Sequence, residues 1–550
     1  MHMNSQGEPS ALVGVREQEW QFATGELEAT RRWLAVQPQE TSERHFTAQP
    51  TLELRDTYFD SSDWMIYRAG YALRLRRALE VGAADSTTCE ITLKSLNRGR
   101  HGLAQRTEFS ERVDTTDMDA ILARTDGMGE RIRELVGARA LAPLFHAHTR
   151  RERQRLLEAD SDLPLAEVDL DETSIEAPSA TGVRLLNRVE IECMNAEPAA
   201  LEPWVSSLRD AAQLQTIEES KFRAGLDAAG LDPGAAIDLG SEEITAQQPF
   251  ALTQLALLRR YFRVVMEKEP LVRWGSASAL HEMRVAARHL DVLLRVFRGS
   301  GPDWALRSRG TIRKLIKALG AVRDCDVQLA YLDATRAELT HNERQAALPM
   351  RERIAGARTA ARARLLRTLD SQRTEQWAHG WREHLRAAMP ASTGPSTAVV
   401  AEQIVRDQAK KLRKRGDRLR ESATPDSYHE ARIRAKRLRY TLDSFVPLFG
   451  KPAQEFTRAL GKLQDVLGAF HDISVRAEHF QSLIAGGQQL PPATSFLIGR
   501  LVERDSRALD ECRRKFTKAY RRTRRRRWRE LQGAMRARIA AVTASEIRAP

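Results

Sequence analysis

His281-Glu282-Met283-Arg284-Val285-Ala286-Ala287-Arg288-His289-Leu290 returns 148 positions later as His429-Glu430-Ala431-Arg432-Ile433-Arg434-Ala435-Lys436-Arg437-Leu438. A second block, Leu319-Gly320-Ala321-Val322-Arg323-Asp324, returns at the same offset as Leu467-Gly468-Ala469-Phe470-His471-Asp472. Two blocks sharing one offset indicate a duplicated unit. On a helix His281, Arg284 and Arg288 fall at i, i+3 and i+7 and share a face, as do His429, Arg432 and Lys436. Met283, Ala287, Leu290, Leu294 and Phe297 lie on another face and match Ala431, Ala435, Leu438, Leu442 and Phe445 position for position. That is the spacing of a core stripe. One face packs and the other presents cations. A doubled cationic row calls for a long or multiply charged anion.

A single charged row on a helix is ordinarily a solvated face. Recurrence of His, Arg and Arg/Lys at fixed offsets, while exposed positions between them drift, favours a functional row. The His-Glu pairs do not form a zinc-protease motif, because the residue four positions on is Val285 or Ile433 rather than His.

The chain of 550 residues is long enough for two or three domains. Its net charge of +13 is uneven. Residues 1–230 hold 27 Lys+Arg and 39 Asp+Glu, whereas 231–550 hold 60 and 35. An acidic first part thus precedes a strongly basic second part, which points the second towards a polyanion. Cys89, Cys193, Cys325 and Cys512 are isolated, with neither zinc spacing nor a disulfide framework. This fits a reducing cytoplasm. No apolar run approaches the ~18–20 residues that cross a bilayer, and the polar N-terminus lacks a signal-peptide core. Cytoplasmic localisation is therefore expected.

Residues 1–13 are expected to form a disordered tail. Residues 14–230 read as mixed strands and helices, 231–249 as a Gly/Pro-bearing linker, and 250–540 as almost all helix. A Pro/Ser/Thr/Gly break at 390–397 separates repeat halves of about 250–389 and 398–540. A further loop, 486–492, precedes a long basic helix. Lys410–Arg415 and Arg521–Arg529 add nonspecific basic segments.

The strands of the first part alternate apolar residues with charged ones. Glu17, Glu19 and Gln21 share a face opposite Trp20 and Phe22. Arg74 and Arg76 alternate with Leu73 and Leu75, and Glu90, Thr92 and Lys94 with Ile91 and Leu93. Arg106 and Glu108 follow the same rule, as do Glu167, Asp169 and Asp171, and Glu190 and Glu192. Such alternation describes a sheet with a wet charged face or a closed barrel with a charged lumen. In a lumen, paired carboxylates would suit Mg²⁺ or Mn²⁺, and Arg and Lys would suit phosphate oxygens. A triphosphate satisfies both.

At these residues the chain resembles the CYTH domains, the triphosphate tunnel metalloenzymes. Glu17-Gln18-Glu19-Trp20-Gln21 stands where the family has Glu-x-Glu-x-Lys. Tyr58-Phe59-Asp60, Arg68–Arg76, Thr92-Leu93-Lys94, Arg106-Thr107-Glu108, Arg151, Asp171, Glu190-Ile191-Glu192 and Ser220-Lys221 follow in order. The ordered set, spanning about 14–230, favours the barrel. The resemblance implies Glu17, Glu19, Asp171, Glu190 and Glu192 as metal ligands for Mg²⁺ or Mn²⁺. It implies Arg74, Arg76, Lys94, Arg106, Arg151 and Lys221 as triphosphate-binding, and Glu17, Glu19, Lys94 and Arg151 as the catalytic set. The reaction implied is metal-assisted attack of water on a terminal phosphoryl group. Gln21 departs from the family Lys, and one missing cation in such a site costs ~10²–10³ in rate.

The repeated helices resemble a second family, the CHAD domains, with His-x-x-Arg-x-x-x-(Arg/Lys) in both copies. Arg437-Leu438-Arg439-Tyr440 and Leu463–Asp472 are especially similar. This resemblance implies paired helical bundles that bind inorganic polyphosphate through His281, Arg284, Arg288, His289, His429, Arg432, Arg434, Lys436, Arg437, Arg439 and His471. The expected fold is an α+β antiparallel tunnel barrel followed by an all-α domain of two duplicated helical bundles. The expected partners are polyphosphate and a small triphosphate, with no membrane and with association with polyphosphate granules. The rival is a nucleic-acid-binding basic helical protein with a degenerate N-terminal domain. Strand binders stack bases on aromatics, yet no aromatic stands between His281 and Arg288.

Overall fold

The structure, a computed structural model, describes residues 14–36, 44–83, 87–97, 102–158, 163–178, 180–388, 393–419, 423–485 and 490–548. The expected tail 1–13 lies outside them, as do 390–392 and 486–489 of the two expected breaks. The chain divides into two units, Met1–Asp238 with Arg273–Gly275, and Leu239–Val272 with Ser276–Pro550.

The first unit contains strands β1 (Val15–Thr24), β2 (Arg44–Ser61), β3 (Tyr71–Glu80), β4 (Thr87–Ser95), β5 (Leu103–Val113), β6 (Leu141–Glu158), β7 (Pro164–Ala177), β8 (Ala180–Arg184), β9 (Asn187–Cys193) and β10 (Gln215–Thr216). Their order is β1-β5-β4-β3-β2-β6-β7, and β9 bonds to both β7 and β1. The result is a closed ring of eight antiparallel strands, with β8 and β10 appended to β7 and β1. Around it lie α1 (Glu28–Val36), α2 (Met65–Arg68), α3 (Met118–Ala123), α4 (Gly127–Val136), α5 (Pro198–Ala211), α6 (Lys221–Ala228) and α7 (Pro233–Ile237).

Closure decides which side of each strand meets water. Trp20, Phe22, Val168, Val189 and Ile191 point outward and are buried against Leu34, Leu201, Val205 and Leu208 of α1 and α5. Leu73, Leu75, Ile91 and Leu93 are covered in the same way by Ile121, Met128, Ile132 and Leu135 of α3 and α4. The barrel is apolar outside and charged inside. Burial of the outer faces under helices is what drives the polar faces into the lumen.

The second unit is helical: α8 (Phe250–Arg273), α9 (Ala277–Val296), α10 (Asp303–Arg307), α11 (Arg309–Thr335), α12 (His341–Leu369), α13 (Gln372–Ala387), α14 (Thr397–Gly416), α15 (Pro425–Ala485), α16 (Pro492–Arg522) and α17 (Arg525–Arg548). Ser276 caps α9 by accepting from the Ala279 N–H, and Thr340 with Glu343 forms a capping box at α12. The first copy of the repeat is α9 and α11. In the second copy both parts lie in α15, kinked at Gly450 with φ 61°, a left-handed conformation that glycine adopts without penalty.

All ten matched apolar residues are buried in one cluster that runs through both copies. The two halves therefore share a single core. Leu239 and Ala246, from the stretch read as linker, join that core, and the Gln248 carbonyl accepts from the Thr397 N–H at 2.9 Å. Among the described residues no helix is long and apolar enough to cross a membrane.

Candidate functional site

A cavity of about 430 Å³ fills the barrel. β1 brings Glu17, Glu19 and Gln21 to it, β3 Arg74 and Arg76, β4 Glu90 and Lys94, β5 Arg106 and Glu108, β6 Arg151, β9 Glu190 and Glu192, and the start of α6 Lys221. Strand register builds an acidic wall. Glu19 stands opposite Glu192, which stands opposite Glu167; Gln21 stands opposite Glu190, which stands opposite Asp169. In the ring order β3 and β4 lie across the lumen from β9 and β7, so Arg74, Arg76 and Lys94 face that wall.

The cations are unequally engaged. Arg76 grips Asp56 through two bonds of 2.7 Å. Burial pushes the Asp56 carboxyl up, but Arg76 outweighs it and holds the group at about 2. Arg151 bonds Asp171 at 2.8 and 2.7 Å and Glu190 at 3.0 Å, and also contacts Asp169. Lys221 bonds Glu190 at 2.8 Å and contacts Asp171. Lys94 contacts Glu17 and stands 3.4 Å from Glu19. Arg74 is the loosest. Its nearest carboxylates are Glu90 at 3.8 Å and Glu108 at 4.0 Å, and its Nε is buried without a hydrogen-bond partner.

This pairing splits the five expected metal ligands. Burial opposes ionisation of Asp171 and Glu190, yet Arg151 and Lys221 hold both below the usual carboxylate range. Asp171 is fully buried. On the other side, burial and neighbouring carboxylates raise Glu17, and burial together with Glu17 pushes Glu192 up to about 8. Burial thus drives Glu17 and Glu192 towards their neutral forms in the absence of a cation, and their donors are hard oxygens. In chemistry Glu17, Glu19 and Glu192 fit a divalent cation, although among the described residues no three ligating side chains are gathered closely enough to hold one. Lys94 and Arg106 pair with Glu17 and Glu19 instead.

Gln21 sits at the centre. Its amide donates to Glu19 at 2.9 Å and Glu190 at 3.4 Å, and its oxygen accepts from Arg106 at 3.3 Å. Asp56 and Asp169 are tunnel residues absent from the expected set. Asp169 was visible between Glu167 and Asp171, whereas no periodic signal marked Asp56.

In the helical unit the cations of both copies converge. Lys436 is depressed to about 7 by burial and then by Arg432, Arg288 and Arg284, so residues of α9 and α15 share one electrostatic neighbourhood. The Nε atoms of Arg284, Arg288 and Arg432 are buried without hydrogen-bond partners. Arg432 reaches Asp472 only at 3.8 Å. Asp324 and Asp472, from the second repeated block, are the acids facing these cations, and burial raises Asp324. His429 and His471 place their Nδ1 atoms 3.3 Å apart. Burial and then Arg432 depress His471 to about 4. Exposed His281 is lowered by burial, Arg284 and Arg323.

Four expected residues lie elsewhere. His289 is buried, stacked on Tyr261 at 4.2 Å and tilted against Tyr440 at 4.4 Å. Its expected place in the cationic row is corrected, because burial holds it neutral, at about 3. Arg439 bonds Gln464 at 3.0 Å and nears Asp443 at 3.6 Å. Arg434 and Arg437 neighbour Arg295 instead. The two basic segments are partly self-neutralised: Arg415 pairs with Glu430 at 3.0 Å and Arg526 with Glu530 at 2.7 Å.

The family model described as the CYTH domain matches residues 31–226, and the one described as the CHAD domain matches 256–481. Two curated relatives, uncharacterized proteins of two Mycobacterium tuberculosis strains, are each 28% identical over 283 residues, covering 47% of this chain and 52% of the relative. The chain spans about half the length of these relatives. Among solved structures, the CHAD domain from the plant Ricinus communis is 25% identical, covering 52% of this chain and 94% of that one at a TM-score of 0.44. A Hippeastrum protein described with a dominant triphosphatase activity is 18% identical, covering 39% and 97% at a TM-score of 0.27.

Proposed function

We propose, for a chain that carries a CYTH domain followed by a CHAD domain, that it binds inorganic polyphosphate on the helical unit and takes a triphosphate into the tunnel. One observation carries the reading. Arg284, Arg288, Arg432 and Lys436 converge from two copies of one repeat, three of them with orphaned buried Nε donors. Concentrating unpaired positive charge in partial burial is unfavourable unless an anion arrives. A phosphate chain supplies repeated oxygens for guanidinium groups.

In the tunnel, Arg74 would meet the phosphates first, since its nearest carboxylates stand 3.8 and 4.0 Å away and its buried Nε lacks a partner. An anion that draws Lys94 and Arg106 away from Glu17 and Glu19 would free those carboxylates, with Glu192, for Mg²⁺ or Mn²⁺. The metal would neutralise phosphate charge. Arg151 and Lys221, locked on Asp171 and Glu190, would hold the far end of the lumen rigid. Gln21 orients Glu19, Glu190 and Arg106 but carries no charge, so the tunnel binds its anion and turns it over slowly.

The test is calorimetric titration of the full chain with long-chain polyphosphate at physiological salt, followed by competition with DNA and RNA. Retained polyphosphate, and at least about tenfold weaker binding by R284Q/R432Q, support the reading. Ready displacement by nucleic acid would favour the rival.

A further inference from the structure

The cationic stripe of α9 does not end at Arg288. His281, Arg284, Arg288, Asp291 and Arg295 follow one another at alternating spacings of three and four residues, so they lie along one side of the helix. Arg295 stands two turns beyond Arg288, about 10 Å along the axis. There it meets cations from two other helices. Arg309 and Arg313 of α11 and Arg434 of α15 all bear on Arg295. Arg437 is flanked by Arg295, Arg434 and Arg309.

Asp291 is the acid facing this group. It holds Arg309 at 2.8 Å and lies 4.0 Å from Arg295. The Nη2 of Arg309 remains buried without a hydrogen-bond partner. Burial, then Arg295 and Arg434, depress Arg437 to about 10. A guanidinium so affected is crowded by like charge that its neighbours do not neutralise.

We propose that Arg295, Arg309, Arg313, Arg434 and Arg437 form a second anion station, two helical turns along α9 from Arg288, through which the helical unit selects long phosphate chains over short ones. The inference rests on the polyphosphate reading and deepens it. A tripolyphosphate, with only two P–O–P links, fills one station. A long chain occupies both, and its second contact is intramolecular, so affinity rises without new chemistry at either station. Asp291 belongs to the second station, where it holds Arg309 at 2.8 Å, and the two-turn separation of Arg295 from Arg288 keeps the stations distinct.

The experiment titrates the full chain with tripolyphosphate and, separately, with long-chain polyphosphate, for the parent, R295Q/R313Q and R284Q/R432Q, every protein also carrying R74Q/K94Q so that anion uptake by the tunnel does not mask the helical unit. Arg295 and Arg313 are exposed, and unchanged helical circular dichroism and melting confirm that the fold is intact. R295Q/R313Q is expected to weaken long-chain binding about tenfold while leaving tripolyphosphate within about twofold. Loss for neither ligand, or equal loss for both, overturns the second station. If R284Q/R432Q abolishes long-chain binding while R295Q/R313Q changes nothing, the second station falls and the polyphosphate reading stands. If R284Q/R432Q leaves long-chain binding unchanged, that reading falls and takes this one with it.

Discussion

Arg106 donates to the amide oxygen of Gln21 at 3.3 Å while another of its nitrogens bonds Glu19 at 2.8 Å. A neutral amide thus occupies the point where β1, β5 and β9 meet inside the barrel. It satisfies its neighbours by hydrogen bonding and adds no charge to the lumen.

Lysine at that point would add a cation beside Glu19 and Glu190. The Gln21→Lys variant is expected to raise phosphate release from tripolyphosphate, with Mg²⁺ or Mn²⁺ present, by about 10²-fold. A colorimetric phosphate assay decides it. Silence from both proteins would make the tunnel a binding site only.

Asp56 is buried and doubly bonded to Arg76. Asp56→Ala leaves a guanidinium without its partner and is expected to cost about 3–5 kcal/mol, read from urea unfolding. The wild-type pair also sets an acid limit. The folded carboxyl titrates at about 2, below its unfolded value near 3.9. Its contribution is therefore complete above about pH 4 and lost as pH falls towards 2, amounting to about 2–3 kcal/mol. Denaturation midpoints at descending pH, compared with the Ala variant, check the sign.

Lys436 titrates at about 7 because burial, Arg432, Arg288 and Arg284 all disfavour its charge, with Asp472 opposing them. Its folded value lies below its unfolded one. The native state is therefore penalised below about pH 7 and relieved towards alkaline pH. A polyanion reverses the field, so binding near pH 8 is expected to take up a proton. Calorimetry in buffers of different ionisation enthalpy measures that uptake. Lys436→Met is expected to abolish it, and Lys436→Arg to keep affinity while removing the pH dependence.

His289 packs between Tyr261 and Tyr440. His289→Ala is expected to lower stability by about 2–4 kcal/mol through lost packing. Polyphosphate affinity at a temperature where the protein stays folded is expected to be unchanged, and the same titration measures it. A selective loss of affinity would return His289 to the cationic row.

Much of this architecture was legible because periodicity is a property of the local backbone. The apolar stripe from Met283 to Phe297 and its copy from Ala431 to Phe445 are buried as their spacing required. Glu17, Glu19 and Gln21 share a face because side chains two apart on a strand must. His289 shows the boundary of such reading. It adjoins the cationic row in sequence, yet its side points to two tyrosines that lie 28 residues before and 151 after it. Arg295 shows the converse, a residue with no repeat signal that gains its importance from Arg309, Arg313 and Arg434.

The sequence by itself determined the duplicated helices, the strand alternation, the acidic-then-basic division of charge and the substitution at position 21. Only the tertiary structure decided that β9 closes the ring against β1, that Arg151 and Lys221 engage Asp171 and Glu190 while burial raises Glu17 and Glu192, and that Arg288 and Lys436 come together. Charge balance depends on distance in space. Strand register and helix packing set those distances between residues that a linear chain keeps far apart.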